Sequence, residues 1–244
     1  MVLVIVFLFA TPPRSSSLGG RLPADTLRIL FVGNSLTYFN DLPSIVEALA
    51  EANDQRLAYK MIAFADFSLE DHWNKGDAGK AIKNGKWNYV VLQQGPSASK
   101  EGRAVLREYA RRFAEEIRRT GARPALYMVW PSSSREQDFA GVSQSYSQAA
   151  EDIDGLVLPV GEAWLSAWRI NPKIELYSKD GLHPTVTGSY LAALVIYGQL
   201  SGRPLGGLPS KLSLRSKAKI EIPVEQAEQL QRAASEANGK FARR

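Results

Sequence analysis

The sequence predicts an α/β fold in which helices cover both faces of a five-stranded parallel sheet, a three-layer α/β/α sandwich. Two observations support this prediction. Five short apolar segments alternate with longer segments whose apolar residues recur at helical spacing. Parallel strands need crossover connections of about this length, and helices usually supply them. In such sheets, functional sites form at the carboxyl ends of the strands.

The five predicted strands are recognised by their apolar runs and by the residues that end them. The first strand stops at Gly33, and the fourth is stopped by Pro131. The third contains the continuous apolar run from Val90 to Leu92 that is typical of a buried strand. In chain order the strands are LRILFV, RLAYKMIAF, WNYVVLQQ, RPALYMVW and GLVLPV.

The helices between the strands are predicted from their apolar spacing and their ends. In the first long helix, Ile45, Leu49 and Ala52 recur at helical spacing. The clearest helix ends at Gly121, after arginines in its last turn. In chain order the predicted helical segments are LPSIVEALAEAN, SLEDHWNKGDAGKAIKNG, EGRAVLREYARRFAEEIRRTG, SQSYSQAAEDI, GEAWLSAWRI and TVTGSYLAALVIYGQL.

The composition fits one globular domain with a basic extension. Of the 244 residues, 45% are hydrophobic and 23% are charged. The absence of cysteine excludes disulfides, thiolate metal sites and cysteine nucleophiles, and His72 and His183 are the two histidines. The net charge of +5 resides in residues 203–244, which hold nine Lys/Arg and four Asp/Glu. Because the basic residues lie in a tail and not across a groove, nucleic-acid binding is not predicted.

Three regions are predicted along the chain. Residues 1–25 contain an apolar run from Val2 to Ala10, too short to span a bilayer, followed by a Pro-, Ser- and Gly-rich linker. The run resembles the core of a secretory signal and predicts export; without signal function the protein would be cytoplasmic. Residues 26–202 form the main domain. Residues 203–244 form the basic extension, with one helix from near Pro223 to Asn238, and its role and the oligomeric state stay open.

Two short motifs carry candidate chemistry. The Gly-Asn-Ser turn places Ser35 directly after the first strand, at the start of a helix. The segment DGLHP places Asp180 three residues before His183, so the carboxylate can accept from one imidazole nitrogen while the other stays free. A serine hydroxyl needs such an oriented base to become a good nucleophile. Ser35 also fits a helix N-cap, and the Asp-x-x-His segment also fits an ordinary helix start.

FVGNSLTYFND followed by DGLHP resembles the SGNH/GDSL hydrolase superfamily, over about residues 27–202. In that superfamily the serine lies in the first sequence block and the Asp-x-x-His pair in the last. The resemblance implies the flavodoxin-like SGNH hydrolase fold. It also implies that Ser35 is the nucleophile, that His183 is the general base and then acid, and that Asp180 holds His183. The G-x-S-x-G signature of the other large class of α/β esterases is absent around Ser35.

The two middle blocks of the superfamily supply oxyanion donors, and here the sequence departs from the pattern. Ala65 and Asp66 stand where the second block carries glycine, and Gln93 and Gln94 stand where the third carries asparagine. The backbone N–H near Asp66 and the amide of one glutamine are therefore the predicted oxyanion or substrate-binding groups. The glutamines are similar to those of carbohydrate acetylesterase-like branches. The alternative is that both simply close a strand.

Two other residues have more than one interpretation. His72 is either a packed helix residue or a substrate contact at the pocket rim. A metal site is not predicted, because no second histidine is close in sequence and there is no cysteine. Trp130 is either an aromatic platform for a sugar or part of the core. No cofactor is predicted.

These observations predict a serine esterase that removes a small acyl group, acetyl by the resemblance, from a carbohydrate or another small-molecule ester. An acyltransferase would use the same residues, and the sequence does not separate the two. A non-catalytic binding module would keep the fold and lose the oxyanion site. The missing second-block glycine favours the binding module, whereas the presence of Ser35, Asp180 and His183 favours the enzyme.

Overall fold

A computed structural model describes residues 26–242 of the chain. It confirms the α/β/α sandwich, with five parallel strands in the order β2-β1-β3-β4-β5. The predicted signal-like run and linker in residues 1–25 lie outside the described residues. The strands are β1 (Leu27–Gly33), β2 (Leu57–Ala63), β3 (Tyr89–Leu92), β4 (Arg123–Met128) and β5 (Leu156–Pro159).

The sheet has a topological switch point between β1 and β3. From β1 the chain adds β2 on one side of the sheet and then returns to add β3 on the other. Ile29 lies opposite Tyr89, and Val32 lies opposite Leu92, so the two strands end side by side. In open α/β sheets the crevice at such a point is the usual place for a ligand. The loops that follow β1 and β3 therefore meet where a site is expected.

Helices form a layer on each face of the sheet. One layer consists of α2 (Leu42–Ala52), α7 (Val160–Ile170) and α8 (Val186–Ser201). The other consists of α3 (Leu69–Lys75), α4 (Asp77–Asn84), α5 (Lys100–Arg119) and α6 (Phe139–Asp152). A short helix, α1 (Ser35–Tyr38), follows β1 directly.

The single long helix predicted over SLEDHWNKGDAGKAIKNG is two helices, α3 and α4. Gly76 separates them with a φ of 82°. This left-handed conformation ends a helix and is readily available only to glycine. A glycine within a helical segment does not by itself end the helix, which is why one helix was predicted over both.

The C-terminal extension packs on the main domain. Its helix α9 (Val224–Phe241) contacts α7 and α8, and it runs past Gly239 to Phe241 rather than ending at Asn238. Helix α8 is buried almost all round, because α9 covers the side that would otherwise face water. Before α9, β6 (Lys211–Ser213) and β7 (Lys219–Glu221) form an antiparallel hairpin. This hairpin was not predicted, because three-residue strands are too short to show a period.

Within residues 26–242, no helix has the length and apolar character needed to cross a bilayer. Within residues 203–242, the Lys and Arg side chains of the extension are exposed on its outer surface.

We predict that Leu230→Ala lowers the free energy of unfolding by about 2–5 kcal/mol, because Leu230 is fully buried between α9 and the domain. Urea denaturation measures the effect. Val224→Ala, at a position 63% exposed on the same helix, is the control and should change the free energy by less than about 0.5 kcal/mol. An unchanged unfolding midpoint for Leu230→Ala would contradict the docking of α9.

Candidate active site

An open cavity of about 710 Å³ lies at the carboxyl edge of the sheet. Its walls come from the loops after β1, β2, β3 and β4 and from the DGLHP loop. Ser35, Asp66, Gln94 and Leu182 are among the residues that line it. The cavity therefore gathers residues from all four sequence segments that were expected to build a site.

Ser35 is the first residue of α1 and is partly exposed to the cavity. The N-cap is Asn34, whose Oδ1 accepts a hydrogen bond of 3.1 Å from the Leu36 N–H. The interpretation of Ser35 as a helix cap is therefore wrong. Among the described residues, neither the hydroxyl nor the backbone N–H of Ser35 has a hydrogen-bond partner. Both groups are available to a ligand in the cavity.

The DGLHP loop orients an imidazole. His183 Nδ1 lies 2.7 Å from Asp180 Oδ2. Asp180 Oδ1 accepts hydrogen bonds of 2.9 Å from the N–H groups of Leu182 and His183, and one of 2.8 Å from the Ser178 hydroxyl. These bonds, that of Leu182 foremost, hold the pKa of Asp180 well below its usual range. The ionised carboxylate fixes the ring through Nδ1, and Nε2 has no hydrogen-bond partner among the described residues.

Two contacts join the serine segment to the histidine loop. The Phe39 ring, one turn after Ser35, stacks on the His183 ring with the centroids 4.5 Å apart. The Asn40 side-chain amide donates to the Pro184 carbonyl at 3.1 Å and to the Ser189 hydroxyl at 2.9 Å. The fold thus places residues that are almost 150 positions apart in the chain against one another. Neither contact has a local signal in the sequence.

Trp130 belongs to the core, and the alternative of an exposed sugar platform is wrong. It is fully buried and stacks on Trp164 with the ring centroids 3.9 Å apart. Its indole N–H donates to the Leu182 carbonyl at 2.9 Å. This hydrogen bond ties the end of β4 to the loop that carries Asp180 and His183.

Asp66 lies in the loop after β2 with a φ of 60°. This is the left-handed backbone region that glycine favours, so the backbone at Asp66 has a conformation that a glycine would adopt readily. Its backbone N–H has no acceptor within residues 26–242, and the residue is exposed at the cavity wall. The departure from glycine therefore preserves the conformation while adding a carboxylate.

Gln93 does not reach the cavity, and its prediction as an oxyanion donor is wrong. Its side chain is fully buried, and its amide nitrogen donates to the Gln94 carbonyl at 2.8 Å. Gln94 does line the cavity, but its amide nitrogen donates to the Ser97 hydroxyl at 3.0 Å and to the Gly102 carbonyl at 3.2 Å. The side chain of Gln94 thus shapes the wall and has both amide hydrogens engaged.

His72 is the packed helix residue of the two alternatives. It is 1% exposed and its ring lies beside Phe64 and Phe67. Burial lowers the pKa of His72, so the neutral ring is favoured, and its Nε2–H donates to the Gly33 carbonyl at 2.8 Å. Among the described residues, no group of three or more His, Asp or Glu side chains is arranged to hold a metal ion. His72 thus binds the backbone of the Gly33-Asn34-Ser35 turn at its first residue.

No protein-family model matches the chain, and no curated protein matches its sequence. Solved structures do match it. A DUF4886 family protein from Bacteroides uniformis is 18% identical with a TM-score of 0.73, covering 87% of this chain and 95% of that chain. A protein assigned as an SGNH hydrolase from Slackia heliotrinireducens is 29% identical with a TM-score of 0.60, covering 70% of this chain and 97% of that one.

An acetyl-xylooligosaccharide esterase from Geobacillus is 14% identical with a TM-score of 0.54, covering 71% of this chain and 94% of that one. The match to the Bacteroides protein is longer, and it covers more of this chain than residues 1–202 could supply. That likeness therefore extends into the C-terminal extension. The parallel sheet, its flanking helices and these neighbours show that the chain has the SGNH/GDSL hydrolase fold.

Proposed function

We propose that the protein is a serine esterase in which Ser35 is the nucleophile, His183 the base and Asp180 the group that orients the base. The observation that carries this proposal is the pairing of an unpartnered Ser35 hydroxyl at the cavity with an Asp180-oriented His183 ring, which stacks on Phe39, four residues after the serine. The fold of SGNH-type esterases and hydrolases supports an ester as the substrate. A binding module would have no chemical need for this pairing.

The reaction follows from the free atoms of the site. His183 Nε2 takes the proton of the Ser35 hydroxyl while the oxygen attacks the ester carbonyl carbon. The tetrahedral intermediate collapses, and the departing alcohol receives the proton from His183. Water then attacks the acyl-enzyme with His183 again acting as base, which releases the acid and restores Ser35. The ionised Asp180 stabilises the protonated ring in both halves of the reaction.

The backbone N–H groups of Ser35 and Asp66 are the proposed oxyanion donors. Both residues line the cavity, and neither N–H has an acceptor within the described part of the chain. Donors that are fixed before the reaction stabilise the developing charge without reorganisation, and one such donor typically contributes about 10²–10³ in rate. In this proposal, main-chain N–H groups bind the oxyanion, and the side-chain amide of a glutamine does not.

The proposed substrate is an acetyl ester of a carbohydrate. The cavity lining includes hydroxyl and carboxylate side chains, such as Ser99 and Glu101, together with apolar ones, such as Phe67 and Val105. Sugar rings present hydroxyl edges and apolar C–H faces, and such mixed walls fit both. The acetyl group is suggested by the Geobacillus neighbour, which is an acetyl-xylooligosaccharide esterase.

We predict that Ser35→Ala lowers kcat on p-nitrophenyl acetate by at least about 10³-fold, because the acyl-enzyme cannot form. A fluorophosphonate probe should label the wild type on Ser35 and should not label the variant. The control is Ser134→Ala, which removes an exposed hydroxyl outside the cavity. Wild-type turnover by Ser35→Ala would contradict the assignment, and a wild type that neither turns over nor labels would indicate a binding module.

The substrate class is tested with p-nitrophenyl acetate, butyrate and octanoate and with acetylated xylooligosaccharides. We expect kcat/KM to decrease with acyl length and acetate to be released from the sugar ester. Product analysis in the presence of a free sugar separates hydrolysis from acyl transfer. A preference for octanoate, with no deacetylation of the sugar, would contradict the carbohydrate acetylesterase proposal.

A further inference from the structure

We infer that Gln93 is a positioning residue, whose buried amide holds the turn that carries Ser35. The inference rests on the proposed function of Ser35 and deepens it. Gln93 has none of its surface in the cavity, so it acts on the nucleophile only through the residues on either side of it.

The amide oxygen of Gln93 binds the turn at two points that flank Ser35. It accepts a hydrogen bond of 2.8 Å from the Asn34 N–H, immediately before the serine. It also accepts one of 2.7 Å from the Thr37 hydroxyl, two residues after the serine. The backbone of Ser35 is thus held between two hydrogen bonds to one atom.

The position of Gln93 is itself fixed by two further hydrogen bonds. Its backbone N–H donates to the Val32 carbonyl at 2.8 Å, which continues the β1–β3 pairing. Its amide nitrogen donates to the Gln94 carbonyl at 2.8 Å. The amide therefore has little freedom to move. Because the amide is rigid, the Asn34–Thr37 turn that binds to it is held in place as well.

Gly33 makes room for this arrangement. A Cβ at this position would lie 2.4 Å from Gln93 Oε1 and 2.3 Å from Thr37 Oγ1. Both distances are far below van der Waals contact, so any side chain at residue 33 would displace the two groups that hold the turn. The glycine in the Gly-Asn-Ser turn is thus explained by the space that the Gln93 amide occupies.

The consequence for the reaction is geometric. The Ser35 hydroxyl must point at the ester carbon, and the Ser35 N–H must point at the oxyanion. A displacement of about 1 Å in a reacting group can cost about 10²-fold in rate. Loosening the turn therefore lowers the chemical step, while the cavity walls that bind the substrate stay in place.

The test compares two buried glutamines. Gln93→Leu should lower kcat on p-nitrophenyl acetate by about 10²-fold and change KM by less than about threefold. The control, Gln231→Leu, removes a glutamine that is 4% exposed and bonded to the Gly207 N–H and the Leu208 carbonyl in the C-terminal extension. It should lower thermal stability and leave kcat unchanged. Equal kcat in both variants would overturn the inference.

A second pair of variants keeps the inference testable if Gln93→Leu fails to fold. Thr37→Val deletes the hydroxyl that donates to Gln93 and keeps the side-chain shape, whereas Thr37→Ser keeps the hydroxyl. We expect Thr37→Val to lower kcat and the rate of fluorophosphonate labelling by about tenfold, as loss of one hydrogen bond of about 1.4 kcal/mol implies. Thr37→Ser should recover most of that loss.

The outcomes separate this inference from the proposed function. In one outcome, the wild type hydrolyses esters and is labelled on Ser35, but Thr37→Val and any folded Gln93→Leu keep wild-type rates. This result would support the esterase proposal and overturn the positioning role of Gln93. If the wild type neither hydrolyses any ester nor labels, the proposed function falls and the positioning role falls with it. A selective loss of kcat with recovery in Thr37→Ser supports both.

Discussion

The pairing of β1 with β3 is the constraint on which the site depends. It brings the ends of the two strands side by side at the switch point of the sheet. The hydrogen bond from the Gln93 N–H to the Val32 carbonyl closes this pairing. From there the Gln93 side chain lies beneath the turn, and His72 supports the same turn at the Gly33 carbonyl. The exposure of Ser35 to the cavity is the result.

The far side of the site is held by contacts of a different kind. Trp130 anchors the DGLHP loop to the end of β4, and Phe39 and Asn40 fasten the same loop to the segment after α1. The loop leads into the buried helix α8, which α9 covers on its outer side. Both sides of the site therefore rest on buried elements, which suits groups that must be fixed before a reaction.

The strands and most helices could be predicted because continuous apolar runs and helical spacing are local signals. The break at Gly76 and the hairpin before α9 could not, since a glycine within a helical segment need not end the helix and three-residue strands are too short to show a period. Ser35 and His183 were predicted as site residues from motifs. The different positions of the two glutamines could not be predicted, because only the course of the chain after β3 decides that Gln93 is buried and that Gln94 lines the cavity.

The most direct test of the account is a crystal structure of the protein after reaction with a fluorophosphonate. We expect phosphorus bonded to Ser35 Oγ, with His183 Nε2 and the N–H groups of Ser35 and Asp66 each within about 3.2 Å of an oxygen of the adduct or of Ser35 Oγ. The Gln93 amide should keep its bonds to Asn34 and Thr37. An adduct on another residue, or an adduct on Ser35 whose oxygen accepts from a glutamine amide with His183 turned away, would contradict the account.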